Sequence, residues 1–329
     1  MSAPEQALPG YDEIVAAAQR LAGKAVRTPL LTSPVLNERL NAQVFFKAEC
    51  LQRTGSFKFR GAYNALSQMH SSAAETGVLA CSSGNHAQGI AEAARLFGYP
   101  ATIVMPADAP QSKKDRTRRS GAVIVEYDRQ TEDREAIMMD LARQRNAPFI
   151  HPYDNADVIA GQGTCGLEIC DELENADLAP DRVLVCTGGG GLLAGITMAV
   201  KDRFPGAKIH TVEPEGYDDQ ARSHATGERL GVENAGPSLC DAILTPSPGA
   251  LSFAICQGQL EQGLVVSDDE ALAAVAFAYH ELKLVVEPGG AVTLAALLAG
   301  KIAVAGETVV CTLSGGNIDP PMMARALKG

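Results

Sequence analysis

Short apolar, β-branched runs alternate with longer stretches of helical pattern along most of the chain, and this alternation limits the fold more than any other feature. The runs are Gln43-Val-Phe-Phe-Lys, Gly77-Val-Leu-Ala-Cys, Ala101-Thr-Ile-Val-Met, Ala122-Val-Ile-Val-Glu, Arg182-Val-Leu-Val-Cys, Lys208-Ile-His-Thr-Val and Glu307-Thr-Val-Val-Cys-Thr. Helical spacing runs over 56–70 and 85–97. Parallel strands need helical crossovers, and strands covered on both faces are apolar throughout. The expected fold is therefore α/β, built on open parallel sheets. Gly-, Ser- and Asn-rich turns at 81–84, 187–191 and 313–317 follow three of the runs. Ligands of such sheets bind outside the carboxyl ends of the strands, so one site assembled from three distant segments is expected. Residues 77–152 hold three strand–helix units and read as a small domain, with 1–76 and 153–329 forming the larger one.

Composition narrows the function classes. With 329 residues, 46% of them hydrophobic, the chain can bury a two-domain core. Its 28 basic and 39 acidic residues give a net charge of -11, which repels a phosphate backbone and argues against nucleic acid as a partner. The one basic cluster (Lys113, Lys114, Arg116, Arg118 and Arg119) is interrupted by Asp115 and reads as a solvated helix face. No window reaches the roughly 18 apolar residues of a membrane span. The first ten residues lack the basic start and apolar run of a leader, so a cytoplasmic protein is expected. The eight cysteines form no CxxC pair and read as small buried hydrophobes, without a zinc site or disulfides.

The chemistry-bearing residues begin with Gly188, Gly189, Gly190 and Gly191, which follow one strand run and precede a helical stretch. Four glycines leave backbone N–H groups free to converge on an anion, and a helix N-terminus adds a favourable dipole. A phosphate is the expected guest. Gly189-x-Gly191-x-x-Ala194 also satisfies the dinucleotide pattern, with Glu213 at the end of the next strand where a ribose-binding acid would stand. On the loop alone, a nicotinamide oxidoreductase stays open. A second element, Thr54-Gly-Ser-Phe-Lys-Phe-Arg-Gly-Ala, places Lys58 between two phenylalanines at a helix start. That setting favours the neutral amine, the form that attacks an aldehyde. A surface helix start with exposed Lys58 and Arg60 accounts for the same pattern.

Ser56-Phe-Lys-Phe-Arg-Gly-Ala, Ser82-Ser-Gly-Asn-His-Ala-Gln-Gly, the tetraglycine loop and Ser314-Gly-Gly-Asn stand in one order and spacing. Together they resemble the fold-type II pyridoxal phosphate enzymes, and more narrowly the threonine dehydratase and serine racemase family, over roughly residues 11–319. The resemblance implies a tryptophan synthase β-like fold, with the cofactor between two open parallel-sheet domains. It implies that Lys58 carries pyridoxal 5'-phosphate as a Schiff base and takes the substrate's α-proton, with Phe57 beside the ring. Asn85 would meet the cofactor's 3-hydroxyl, Gly188, Gly189, Gly190 and Gly191 its phosphate, and Ser314 its pyridine nitrogen. Ser82, Ser83, Gly84, Asn85 and His86 would hold the substrate carboxylate. Ser83 stands where racemases of the family keep a second proton donor.

The same resemblance implies a Mg²⁺ or Ca²⁺ site formed by carboxylates of Glu213 and Asp219 and the backbone carbonyl of Tyr217. Arg134 matches an arginine near the substrate entrance, where a guanidinium would pair with a second carboxylate. A small amino acid is thus the expected partner, and a homodimer or homotetramer the expected assembly. The expected activity is α,β-elimination from L-threonine, L-serine or 3-hydroxyaspartate to a 2-oxo acid and ammonia. A serine or aspartate racemase is the alternative, and a nicotinamide oxidoreductase a remote one.

Overall fold

A computed structural model describes residues 8–70, 73–233 and 235–328. Of the N-terminal stretch read for a leader, Met1 to Ala7 lie outside the described residues. Among the described residues nine strands form two sheets. They are β1 (Leu30–Thr32), β2 (Gln43–Lys47), β3 (Val78–Cys81), β4 (Ala101–Pro106), β5 (Val123–Tyr127), β6 (Arg182–Cys186), β7 (Lys208–Pro214), β8 (Leu264–Val266) and β9 (Thr308–Thr312). One sheet has the order β1-β2-β9-β6-β7-β8 and the other β3-β4-β5. All seven apolar runs are strands. The two that the pattern did not show, β1 and β8, are edge strands of three residues each, too short to display a period. β1 also departs from the parallel expectation: it pairs antiparallel with β2, Leu31 opposite Phe46.

The central strands separate two cores by simple alternation. Val309 and Cys311 of β9, with Leu184 and Cys186 of β6, pack on one face against Ala291, Leu294 and Ala295. Val310, Val183 and Val185 pack on the other, against Ile159, Ile169 and Ile196. Helix Asn85–Phe97 runs between β3 and β4, and helix Gln111–Arg119 between β4 and β5. The cysteines are free thiols, Cys81 half-buried and the other seven buried. Among the described residues no helix is long and apolar enough to cross a membrane.

Two polar readings are corrected by burial. Arg60 is not on the surface: it is 1% exposed, clasped by Glu49 and Glu168 through four hydrogen bonds of 2.7 to 2.8 Å. Lys47, also fully buried, bridges Glu168 at 2.8 Å and Glu172 at 2.7 Å. The basic cluster is likewise only in part a solvated face. Lys114 is buried and donates to the Ala107 carbonyl, Lys113 pairs with Asp241, and Arg116 donates to Asn317. Arg118 and Arg119 remain exposed.

Candidate active site

The chain turns that follow β3 and β9 meet at the start of helix Lys58–Ser67, and the turn after β6 lies against Tyr153, next to the Pro152 carbonyl that Lys58 bonds. Ser56 forms an antiparallel bridge with Gly315, and the Phe57 N–H donates to the Ser314 carbonyl at 3.1 Å. Ser314, 3% exposed, is thereby tied next to Lys58, and its own N–H donates to the Gly290 carbonyl at 3.2 Å. Asn85 opens helix Asn85–Phe97, donating through Nδ2 to Glu287 Oε1 at 2.5 Å and accepting at Oδ1 from Asn317 at 2.7 Å. Phe57 is buried, with the Lys58 Nζ 5.0 Å from its ring centroid.

Lys58 is half-buried, and its Nζ donates to the Pro152 carbonyl at 3.0 Å. Burial lowers its pKa to about 8, and no carboxylate offsets that effect. A sizeable neutral fraction at neutral pH makes this amine a nucleophile toward a carbonyl.

Tyr153, the next residue after Pro152, lies across the glycine loop. A Cβ on Gly189 would stand 2.3 Å from its ring. From behind, Gln220 Nε2 donates to the Gly188 carbonyl at 3.0 Å and Ser252 Oγ to the Gly189 carbonyl at 2.8 Å. In a trans peptide the N–H points opposite to the carbonyl, so these two bonds turn the N–H groups of Gly189 and Gly190 the other way. Gly190 adopts φ +91, and helix Gly191–Arg203 begins directly after it. N–H groups freed in this way at a helix N-terminus are suited to an anion such as a phosphate. A Cβ on Gly190 would stand 2.6 Å from both Gln220 Nε2 and Ser252 Oγ, in a conformation that costs an L-residue about 1–2 kcal/mol. Gly190→Ala is therefore expected to weaken pyridoxal phosphate binding to the cofactor-free protein by about tenfold or more. Fluorescence titration checks it, and unchanged affinity would remove the loop from the phosphate site.

The other anticipated residues lie at different depths. Ser82, Ser83 and Gly84 are half-buried in the turn after β3, with the Gly84 N–H donating to Ser82 Oγ at 3.1 Å. The His86 ring is buried and hydrogen-bonded to the Ile150 carbonyl at 3.0 Å. Burial first, and then Lys58, lower its pKa to about 3. His86 therefore stays neutral, with its ring occupied by the Ile150 carbonyl and its backbone N–H in the first turn of the helix, where it has no intrahelical partner. Arg134 is exposed at the start of helix Arg134–Arg145.

Glu213 and Asp219 are fully buried. Glu213 accepts from the N–H groups of Gln220 and Ala221 and from Thr211 Oγ1. A carboxylate so enclosed is not open to a ribose, which removes the dinucleotide reading of the loop. Tyr217 spends its hydroxyl on the Gly236 carbonyl at 3.1 Å. Tyr153, Gln220, Ser252 and Glu287 had no assigned role on sequence grounds. Each works as a support for another group, and such support has no spacing of its own.

The amine beside an anion cradle, with Asn85 and Ser314 close at hand, suits a phosphorylated aldehyde. Comparison with known proteins agrees. The family described as "Pyridoxal-phosphate dependent enzyme" matches residues 21–315. The chain is 44% identical to an L-threo-3-hydroxyaspartate ammonia-lyase of Pseudomonas sp over 322 residues, 98% of this chain and 99% of the relative. It is 40% identical to an L-threonine ammonia-lyase of Thermotoga maritima, covering 96% of this chain and 77% of the relative. The solved structure of maize serine racemase superposes with a TM-score of 0.91 at 32% identity, covering 98% of each chain. Set beside the geometry of Lys58, the glycine loop and Ser314, these matches place the chain in the pyridoxal-phosphate dependent enzyme family, in its fold-type II branch with the threonine dehydratases and serine racemases.

Proposed function

We propose that this protein is a pyridoxal-phosphate-dependent ammonia-lyase acting on a small β-hydroxy amino acid, with 3-hydroxyaspartate preferred over threonine and serine. The observation that carries the reading is the desolvated Lys58 amine, without a carboxylate partner, one residue's contact from an anion cradle. The substrate preference is supported by the relative of that name and by the guanidinium of Arg134, which stands exposed at its helix start and is suited to a second carboxylate.

In this reading Lys58, Phe57, Asn85, the loop 188–191 and Ser314 hold the cofactor. When bound, pyridoxal phosphate supplies an electron-withdrawing ring that acidifies the substrate Cα–H. Ser314, buried from water, would face that ring with a neutral hydroxyl. The substrate's α-carboxylate sits against Ser82, Ser83 and the N–H groups opening helix Asn85–Phe97, none of which has an intrahelical partner. Lys58 Nζ takes the α-proton. The Cβ–O bond breaks as the Cα–H pair of electrons forms the Cα=Cβ bond, and the hydroxide leaves as water with a proton equivalent to the one Lys58 took; the released enamine is protonated at Cβ to an imino acid, and water adds to it to give ammonia and a 2-oxo acid. Arg134 pairs with the second carboxylate of 3-hydroxyaspartate.

Ranked turnover of L-threo-3-hydroxyaspartate, L-threonine and L-serine, measured as 2-oxo acid, tests this proposal. Arg134→Ala is expected to lower turnover of 3-hydroxyaspartate about ten- to a hundredfold and that of threonine little. Equal losses would remove its role. Conversion of L-serine to D-serine without 2-oxo acid would instead establish the racemase alternative, with Ser83 as the opposite-face donor.

A divalent cation fits Glu213 and Asp219. Burial, and then the Asp219 charge, raise Glu213 to about 8, while burial raises Asp219 to about 7. Asp219 Oδ2 has no hydrogen-bond partner. Two buried carboxylates and an orphan oxygen are relieved by a hard cation, with the Tyr217 carbonyl as a third ligand. Among the described residues no three His, Cys, Asp or Glu side chains converge, so carbonyl and water oxygens complete the set. Mg²⁺ or Ca²⁺ at about a hundred times its Kd is expected to stabilise the chain by about 2.7 kcal/mol, seen as a rise in Tm. No rise, and no fall with chelator, would remove both carboxylates as ligands.

A further inference from the structure

Helix Gln111–Arg119 has no part in the function proposed above, yet one of its arginines reaches the site. Arg116 Nη1 donates to Asn317 Oδ1 at 2.9 Å. Asn317 Nδ2 donates to the Thr54 carbonyl at 2.8 Å and to Asn85 Oδ1 at 2.7 Å. Asn85 Nδ2 donates in turn to Glu287 Oε1 at 2.5 Å.

A carboxamide has an accepting and a donating end of nearly equal shape, and only its neighbours decide which way it points. A guanidinium has no acceptor, and a backbone carbonyl has no donor. Arg116 and the Thr54 carbonyl thus admit one orientation of Asn317, and Asn317 donating to Oδ1 together with Glu287 accepting from Nδ2 admits one orientation of Asn85. The glycines of the neighbouring motifs make room for this chain of bonds. Gly55 adopts φ +74, and a Cβ there would stand 2.8 Å from Asn317 Oδ1. A Cβ on Gly315 would stand 2.1 Å from Glu287 Oε1 and 3.1 Å from Asn85 Nδ2.

We propose that Asn317, held by Arg116 and the Thr54 carbonyl, is a positioning residue that sets the amide polarity of Asn85, turning its N–H end toward the ring oxygen of the cofactor. The inference rests on the reading that Asn85 meets that oxygen. Asn85 Nδ2 carries two hydrogens, one used on Glu287 and one left for the cofactor. With the polarity reversed, Asn85 Oδ1 faces an oxygen that also accepts, and an attraction becomes a repulsion.

Asn317→Asp separates polarity from packing, because it keeps the shape and removes the donor. The new carboxylate still accepts from Arg116 but can donate neither to Thr54 nor to Asn85, so Asn85 rotates to offer its Nδ2. In the cofactor-free protein, the Kd for pyridoxal phosphate is expected to rise about tenfold. The absorption band of the bound cofactor is expected to shift, while circular dichroism reports a folded chain. Arg116→Met is expected to raise the Kd about threefold, Arg116→Lys to restore most of it, and Arg119→Met, on the exposed face, to change nothing.

Wild-type affinity and band position in Asn317→Asp, with a weakened Asn85→Ala, would overturn the polarity relay alone. An unchanged Asn85→Ala would overturn the reading of Asn85 and the relay with it. Should Asn317→Asp fail to fold, the Arg116 pair decides, and wild-type affinity in Arg116→Met would sink the proposal.

Discussion

Lys58→Ala is expected to lower 2-oxo acid formation by at least about a thousandfold while leaving the chain folded. The amine serves twice in the proposed reaction, as the anchor of the cofactor and as the group that takes the α-proton, so no neighbour replaces it. His86 is held neutral by burial but has its ring on the Ile150 carbonyl, and nothing places it at a substrate Cα. Borohydride reduction of the wild type followed by peptide mass measurement should find the pyridoxyl group on Lys58. A fully active enzyme with Lys58 unmodified would sink the assignment.

The same amine has a pH signature in the cofactor-free protein. Its folded pKa of about 8 lies below the ordinary lysine value of 10.5, so the fold favours the neutral form. Between these values the unfolded chain binds more protons, and wild-type stability rises with pH. Below pH 8 the folded protein carries a charged, desolvated amine at full cost. Lys58→Ala is therefore expected to be at least as stable as wild type at pH 7, an advantage that fades between about pH 8 and about pH 10.5. Cofactor capture by the wild type should rise with pH up to about 8 and then level off, as the neutral amine becomes the majority. A flat capture rate from pH 6 to 9 would show that the amine is not the titrating nucleophile.

Arg60→Met is expected to cost about 3–5 kcal/mol of stability, because it strands Glu49. Glu49 is fully buried, and its carboxylate holds Arg60 Nε and Nη2 and the Thr28 hydroxyl. Burial by itself would raise its pKa, and Arg60, Lys47 and Thr28 more than reverse this, keeping it below the usual carboxylate range. Without Arg60, burial prevails and Glu49 takes up a proton on folding. A carboxyl raised in the fold loses stability as pH climbs, so the deficit of the variant should be larger at pH 8 than at pH 5. Arg60→Met combined with Glu49→Gln should recover part of the loss, since no charge is then left unpaired. Denaturant unfolding at both pH values checks this. A loss below about 1 kcal/mol, equal at both, would mean that the pair is solvated.

How much of this was legible beforehand follows from range. The seven long strands announce themselves, because burial on both faces demands unbroken apolar runs that no other role requires. β1 and β8 are three-residue edge strands and leave no such trace. The glycine loop was legible for a related reason: four consecutive glycines carry a conformational cost that an ordinary turn does not need. Its owner could not be read from the loop alone, where the dinucleotide pattern and Glu213 left a nicotinamide cofactor open; the company of the Lys58, Asn85 and Ser314 motifs pointed to pyridoxal phosphate, and Glu213 is enclosed by Gln220, Ala221 and Thr211.

Lys58 belongs to both sides of that division. Local sequence already set its identity and its place at a helix start between two phenylalanines, as it set the four-glycine loop and the turn at Ser314. Tertiary structure alone decided that the Lys58 amine is desolvated while Arg60, two residues on, is buried among carboxylates from 49 and 168. It also decided that Arg116, in a helix that read as solvated, orients an amide at position 317. Backbone preference and apolar burial act over a few residues and can be read along the chain. Charge, desolvation and the direction of a hydrogen bond depend on partners that stand anywhere from 11 to 232 residues away, which only the folded chain brings together.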